Sequence, residues 1–476
     1  MGRVLGPAVG PKVGAEVGAE VGTVMGPTAG TTALLTDRYE LTMLEAALRS
    51  GHAESLAVFE VFSRRIPEGR PWAVFAGLGR LVDAIGRFQF GPAELSWLDD
   101  NNIVGKGTLE WLSGYRFTGS IDSYREGELY TAGSPVLTLK GTFAETVLLE
   151  TLVLSTLNFD SAVASAASLV TLAAAGRPVI EMGGRSVHPV AAVAAARAAY
   201  LAGFASTSNL EAGRRYGIPT AGTASHAFVM SFGAHGEDHG GADGVHPGEE
   251  IGEEIGEREA FAAQVDAFGP GTTLLVDTYD TGRAVRAAVE VAGPRLGGVR
   301  VDSGDLAEEA VKARALLDGL GAGSAKVVVT GDLDARAVAA LAAAPVDVYG
   351  AGVNVVTGMG APTAGLVYKL VAIGEPGTPA AAPLRPVAKR SAGKESFGGR
   401  KWAWRARLAP PQVKALTWAD IVTTSPGAPG PGARALQVPV IEDGLPTAQP
   451  SLEQVREFHA RVRDEVGLAP LVLERR

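Results

Sequence analysis

Between Arg177 and Leu370, short apolar runs alternate with Ala-rich stretches of helical length, and no other feature of the chain narrows its fold as much. The runs are PVIEM, GFAST, IPTAG, TTLLVD, GVRVD, KVVVT, VDVYG and GLVYK. Between them lie VAAVAAARAAYLA, REAFAAQVDAFG, GRAVRAAVEVAG, LAEEAVKARALLDG and LDARAVAALAAA. A strand followed by a helix, repeated, builds a parallel sheet, because a parallel neighbour is reached only by a crossover. Eight such runs predict an α/β barrel, gapped and irregular, rather than an open sheet. In either layout the carboxyl ends of the strands converge on one mouth, and chemistry is expected there.

The flanking sequence predicts a smaller α+β domain over residues 31–160 and the barrel over 161–370. LTDRYELTMLEAALRSG reads as an amphipathic helix capped at Thr36 or Asp37 and stopped at Gly51. SLAVFEVFSRR alternates as a half-buried strand does, and strand-like runs recur at Thr118–Tyr124 and Pro135–Leu139. AETVLLETLVLSTLNF is an apolar helix leading into the barrel. After Leu370 a Gly/Pro-rich link precedes the basic segment AKRSAGKESFGGRKWAWRAR and a helix around Leu452–Val466. Residues 371–476 are expected to pack back on the N-terminal domain. Residues 1–30, with VGAEVGAEVG, can bury little apolar surface and read as a disordered tail. Residues 233–257, acidic and Gly-rich with GEEI repeated, read as a mobile surface insertion.

Composition narrows the function. A net charge of −9 over 476 residues argues against a nucleic-acid partner, which needs a basic face. The absence of Cys excludes disulfides, thiolate metal sites and thiol nucleophiles. The longest uncharged stretch, Val348 to Tyr368, is interrupted by five Gly and a Pro and does not read as a membrane span. No signal-peptide pattern is visible at the N-terminus, so a cytoplasmic protein without membrane contact is expected.

Seven motifs carry candidate chemistry. VRVDSGDLAEE delivers Asp302 and Ser303 to a strand end, where carboxylates suit ribose hydroxyls or a Mg²⁺–phosphate group. Asp305 and Glu308 there stand at capping-box spacing, a purely structural alternative that leaves Asp302 free. VVVTGDLDARAV offers Gly331 and Asp332, and VYGAGVNVVTGMG offers Gly350 and Gly352, as a backbone cradle for phosphate. In IPTAGTASHAF, small neighbours leave room for a ligand against His226; a structural histidine is the plainer reading. Asp277 in TTLLVDTYD either orients an imidazole or bonds backbone amides. Arg185 in VIEMGGRSVHPVAAV suits carboxylate or phosphate recognition, or pairs with Glu181. Thr207, Ser208 and Asn209 in FASTSNLEAG are neutral donors or a helix cap. His235, His239 and His246 lack the register of a metal site.

Taken in order, LTDRYELTM, GTFAETVLLETLVLS, GFASTSNLEAGRRYGIPTAGT followed by SHAF, VRVDSGDL, GAPTAGLVYKLV and FGGRKWAWR resemble nicotinate phosphoribosyltransferases of the bacterial, actinobacterial-like form. The resemblance runs from about Thr32 to Val466 apart from the insertion. It implies an irregular α/β barrel of the type II phosphoribosyltransferase kind plus a smaller domain built from both chain ends. It also implies a homodimer with shared active sites. The implied reaction makes nicotinate mononucleotide from nicotinate and phosphoribosyl pyrophosphate in NAD salvage, coupled to ATP hydrolysis through a phosphohistidine, with Mg²⁺ and no protein-held metal assigned. By the same resemblance His226 is the phosphorylated histidine and Asp277 the carboxylate bonded to it. Tyr39 stacks on the pyridine ring from the partner subunit, and Arg185 lies near pyridine and phosphate. Ser208 and its neighbours stand where nicotinamide enzymes place an Asp. Arg300, Asp302 and Ser303 contact ribose and pyrophosphate, and Gly331, Asp332, Gly350 and Gly352 cradle phosphate. Where the family pattern has two consecutive arginines, this chain has Arg185-Ser186. The alternatives are a nicotinamide or quinolinate phosphoribosyltransferase, or a non-catalytic ligand-binding or regulatory relative.

Overall fold

The computed structural model describes residues 30–68, 70–232, 247–379, 382–391, 396–407 and 418–467. The expected tail (except Gly30) and His235, His239 and His246 lie outside them.

Six strands form one parallel sheet: β1 (Val179–Glu181), β2 (Ser206–Thr207), β3 (Thr273–Leu275), β4 (Gly298–Val301), β5 (Lys326–Gly331) and β6 (Val348–Ala351). Their order is β2-β1-β6-β5-β4-β3. Val299, Val301, Val327 and Val329 are fully buried, as expected of parallel strands covered on both sides. The IPTAG run adds a single parallel bridge, Thr207 to Thr220, beyond β2. Among the described residues no backbone pairing joins that run to β3, so the barrel wall has a seam. The eighth run departs from the sequence reading. Leu366–Ile373 leaves the barrel and pairs antiparallel with Leu56–Ser63, Phe59 opposite Leu370. It belongs to a seven-stranded sheet of the smaller domain. A bare apolar run carries no sign of which sheet it joins.

The helices around the barrel approach closely because alanines line their inner faces; Ala195, Ala198 and Ala199 are fully buried. Of the stretch expected to be a mobile insertion, residues 233–246 lie outside the described residues and the rest is helical. From Pro247 to Phe268 the chain is one helix. The four-residue GEEI repeat nearly matches the helical period, so Gly252, Gly256 and Ala260 share a face of small residues. That helix packs against the helices Thr281–Ala292 and His226–Met230.

The helix Glu150–Ala173 serves both domains. Its Leu152, Val153 and Leu157 enter the core of the smaller domain, and Val163, Ala167 and Val170 enter the barrel core. By length and composition alone Phe143–Ala173 could span a membrane, but 61% of its most apolar 18-residue window is buried inside the molecule, where it serves as the spine. The expected N-terminal helix is Arg38–Ser50. Asp37 is its cap, the Asp37 N–H donates to the Glu40 carboxylate at 3.3 Å, and Gly51 closes it at φ 73°.

The chain end divides between the domains. Strand Gln437–Glu442 pairs with Ser120–Tyr124 in the smaller domain. Helix Leu452–Glu465 packs on the barrel helix Pro189–Leu201, with the Arg456 guanidinium 4.4 Å from the Tyr200 ring centre. The same helix also touches the N-terminal domain, where His459 lies 2.7 Å from the Gly127 carbonyl, so it bridges the two.

Candidate functional site

Apart from Tyr39, the sequence-predicted residues fall at or just beyond the carboxyl ends of the barrel strands. Arg300, on β4, is the best-anchored of them. Its Nε donates to Thr330 Oγ1 at 2.8 Å, Nη1 to Thr223 Oγ1 at 3.0 Å and Nη2 to Asp302 Oδ1 at 2.8 Å. Asp302 Oδ1 also accepts from the Thr330 hydroxyl. Burial alone would raise the Asp302 carboxyl. The hydrogen bonds from Thr330 and Arg300, with the nearby His226, outweigh it and hold the group below the ordinary carboxylate range. The site thus keeps a fixed ion pair in which three of the five in-plane N–H donors of the guanidinium are committed before any ligand arrives.

Asp277 does not meet His226. Its Oδ2 accepts from the Asp302 backbone N–H at 2.8 Å and from the Ser303 hydroxyl at 2.6 Å, while its Oδ1 is buried without a partner. His226 Nδ1 instead lies 3.2 Å from Thr278 Oγ1. The expected Asp277–His226 pair is therefore corrected. The Ser303 hydroxyl proton is engaged by Asp277, which leaves its oxygen as an acceptor.

Thr207 is corrected as well. It is fully buried and its hydroxyl donates to the buried Glu181 at 2.5 Å, so it supports the loop and is not a free donor. Glu181 also accepts from the Gly183 N–H at 2.5 Å, which leaves Arg185 exposed and without an ion pair among the described residues. Asn209 caps the helix Leu210–Tyr216 through Oδ1, which accepts from Ala212 N–H at 2.9 Å. Ser208 is exposed. Arg185, Ser208, Asn209, Thr223 and Arg300 come together around an open cleft of about 580 Å³. Among the described residues two arginines line it and no carboxylate does.

The glycines expected to cradle phosphate sit beside the ion pair. Gly331 adopts φ 141°, a conformation side chains disfavour. A Cβ on Gly350 would strike the Thr330 methyl and come within 2.9 Å of the Met182 sulfur. One on Gly352 would sit 3.1 Å from the Met182 carbonyl. Asp332 is exposed, and its carbonyl accepts from Asn354 Nδ2 at 2.8 Å. Tyr39 does not line the cleft of its own chain. It is 45% exposed on the N-terminal helix, and its phenol is pushed up to about 12 by burial and by Glu150 and Glu40.

The sequence reading missed the hydroxyls of Thr223, Thr278 and Thr330 as site groups. Each lies next to or within a quoted motif, but Thr is also an ordinary strand residue, so nothing in the pattern distinguishes it. Glu257 was missed too, having been placed in the insertion. It is 3% exposed and its Oε1 has no partner. Burial, only partly offset by Arg283 and reinforced by Asp280 and Asp277, pushes its carboxyl up to about 8. Among the described residues no three His, Asp or Glu side chains form a metal cage.

Residues 34–158 match the family described as nicotinate phosphoribosyltransferase (NAPRTase) N-terminal domain. The chain is 49% identical over 430 residues to the nicotinate phosphoribosyltransferase pncB1 of Mycobacterium tuberculosis, covering 90% of this chain and 89% of that one. It is similar to the crystal structure of human nicotinic acid phosphoribosyltransferase, with TM-score 0.70, 26% identity, and 90% and 94% of the two chains covered. The nicotinate-nucleotide pyrophosphorylase structure from Pyrococcus furiosus shares the fold, with TM-score 0.70 and 21% identity over 93% and 97% of the chains.

Proposed function

Because the chain belongs to the nicotinate phosphoribosyltransferase family, we propose that it joins nicotinate to the ribose of phosphoribosyl pyrophosphate, giving nicotinate mononucleotide and pyrophosphate in NAD salvage. The observation that carries this reading is a cleft lined by two arginines and no carboxylate. Both the pyridine carboxylate and the diphosphate are anions, and such a lining favours them over an uncharged amide. Ser208 supports the choice of nicotinate, since a neutral hydroxyl does not repel the carboxylate.

In the transfer the pyridine nitrogen forms a bond to C1 of the ribose, and the bond from C1 to the diphosphate oxygen breaks. The electron pair leaves with diphosphate, and no proton is required. Charge develops on C1 and on the leaving group, so the chain's task is alignment and electrostatic stabilisation. Asp302, held ionised, is suited to the ribose side. Arg300 and the backbone around Gly331, Gly350 and Gly352 face the phosphates. The second-subunit Tyr39 would cover the pyridine ring, which requires the homodimer implied by the family pattern. Mg²⁺ would arrive with the diphosphate and neutralise charge there. The partnerless Asp277 Oδ1 is one protein oxygen that fits such an ion, in keeping with the few carboxylates Mg²⁺ usually takes beside phosphate.

ATP coupling enters through phosphorylation of His226, whose added charge would reorganise the phosphoribosyl pyrophosphate site. A 100-fold gain in affinity corresponds to about 2.7 kcal/mol of coupling. A cytoplasmic location follows from these soluble substrates.

The test is product analysis. Purified protein is mixed with nicotinate, phosphoribosyl pyrophosphate and Mg²⁺, with and without ATP, and nicotinate mononucleotide and ADP are measured. Mononucleotide that rises with ATP, together with ADP, is the expected result. Product only from nicotinamide or quinolinate, or binding without turnover, would replace the reading. His226→Ala should abolish the ATP stimulation and leave weak transfer, whereas Asp302→Ala should lower transfer at every ATP level. Mixed dimers of Tyr39→Ala and Arg300→Ala chains should recover activity that neither variant has alone.

A further inference from the structure

We propose that Glu181 and Thr207 form a lock that keeps Arg185 unpaired, leaving its guanidinium for the anionic group of a substrate. The inference rests on the transferase reading above and adds two positioning residues to it. Glu181 ends β1, Thr207 ends β2, and the two face each other in the parallel register. Glu181 is 1% exposed, and no cation pairs with it among the described residues. Buried charges are ordinarily paired, and Arg185 is the next cation along the chain.

Here neutral donors stand where that cation would be. Glu181 Oε1 accepts from the Gly183 N–H and Oε2 from the Thr207 hydroxyl, both at 2.5 Å. The direction of the second bond is fixed, because Thr207 Oγ1 also accepts from the Asn209 N–H at 3.0 Å. A backbone N–H only donates and an ionised carboxylate only accepts, so the hydroxyl proton points at Glu181. Burial raises the Glu181 carboxyl, and both hydrogen bonds oppose the rise. Gly183 lets the chain turn close over the carboxylate: a Cβ there would strike Val356 and sit 3.0 Å from Glu181 Oε1. The Glu181 carbonyl accepts from the Ser208 N–H at 2.8 Å, so the same residue fixes the backbone on both sides of the cleft.

The consequence falls on the cleft that Arg185, Ser208 and Asn209 line. With both Glu181 oxygens engaged, the Arg185 donors stay open to a ligand. Once unlocked, a Glu181–Arg185 pair would be a competing state, and apparent affinity would fall with the fraction of chains left competent. The anion is the carboxylate of nicotinate or a phosphate of phosphoribosyl pyrophosphate, since both present the paired oxygens a guanidinium takes.

The experiment uses the full chain and compares wild type, Thr207→Val, Thr207→Ser and the double variant Thr207→Val with Glu181→Gln. Circular dichroism and a thermal melt check each fold; should Thr207→Val not fold, the smaller Thr207→Ala replaces it in both. Steady-state kinetics give kcat and the KM for nicotinate and for phosphoribosyl pyrophosphate. Thr207→Val frees the carboxylate to turn to Arg185 and should raise the KM for one substrate about tenfold or more. The kcat should stay within about threefold, because the lost contact is made equally in the ground and transition states. The substrate whose KM rises is the one Arg185 holds. Thr207→Ser restores the hydroxyl and should return KM to within about twofold of wild type. The double variant separates capture from loosening. Glutamine has no charge with which to capture Arg185, so the second substitution should lower the raised KM by about fivefold. Loosening of the loop predicts the reverse, each substitution adding to the other. Unchanged KM values in Thr207→Val, or a double variant no better than Thr207→Val, overturn the lock. A wild type that makes no nicotinate mononucleotide overturns the transferase reading itself and takes the inference with it.

Discussion

Thr330 shows how much of this site hangs on one hydroxyl. It accepts from Arg300 Nε and donates to Asp302 Oδ1, so it fixes both members of the ion pair. Thr330→Val keeps the shape of the side chain and removes both bonds. Its expected effect is roughly a tenfold loss in kcat/KM with little change in melting temperature, read by steady-state kinetics beside a thermal melt. Gly350→Ala reaches the same residue by a different route, since the added methyl pushes on the Thr330 methyl and the Met182 sulfur. Overpacking of this kind costs about 1–3 kcal/mol, so here activity and thermal stability should fall together. A melt unchanged by Gly350→Ala would show that the strand gives way freely. The charged members of the site were legible in the sequence because a carboxylate or guanidinium at the end of an apolar run has few structural uses. The threonines were not, because a β-branched residue in that position is already explained by the strand.

Helices and strands were legible wherever a period and a stop signal coincided. The Asp37 cap and the Gly51 terminus bracket the first helix, and Ser451 begins the last. Two elements escaped. Leu366–Ile373 has the composition of a barrel strand and was assigned to the wrong sheet, because pairing partners are set by three-dimensional topology. The Pro247–Phe268 helix was hidden by glycines, which in isolation read as loop but here form a stripe along one face. The last helix also carries a histidine the motif reading passed over. His459 is buried; its Nδ1–H donates to the Gly127 carbonyl at 2.7 Å, and its Nε2 accepts from the Ser168 hydroxyl at 2.9 Å. Burial drives its imidazole down from 6.5 to about 4, while the Gly127 bond opposes the shift. The unfolded chain therefore binds a proton that the folded helix refuses. Stability should be full above pH 6.5 and decline as pH falls towards 4, by up to about 3 kcal/mol. Urea titrations of the wild type and His459→Gln at pH 7.5, 6 and 5 check this. The variant should show a shallower slope, and equal slopes would assign the pH dependence to other groups.

At the scale of the whole molecule, the two chain ends are joined by charge. The segment that reads as basic in sequence meets carboxylates of the smaller domain: Arg400 with Asp122 at 2.6 Å, Lys401 with the buried Glu60 at 2.7 Å, and Arg405 with Glu128 at 2.5 Å. Arg405 also binds Asp420 at 2.9 Å and lies 4.3 Å from the Trp418 ring centre. Sequence composition counts these charges but cannot pair them, so the segment looked like a basic patch. Arg405→Met leaves Glu128 and Asp420 buried with less compensation and should cost about 3–5 kcal/mol, read by chemical denaturation. Restoring stability by removing the acids as well, in a triple variant with Glu128→Gln and Asp420→Asn, would attribute the loss to the charges and not to packing. The barrel seam has a consequence of another kind. Everywhere else in the wall, added residues must preserve a backbone ladder between neighbouring strands. Between the Thr220 run and β3 there is no ladder to preserve among the described residues; the side-chain bond His226–Thr278 crosses there, and Arg300 on β4 reaches Thr223. Chain length is least constrained there. Variation among relatives of this enzyme should therefore collect at that opening, next to the chemistry, where new loops can alter substrate access while the barrel keeps its register.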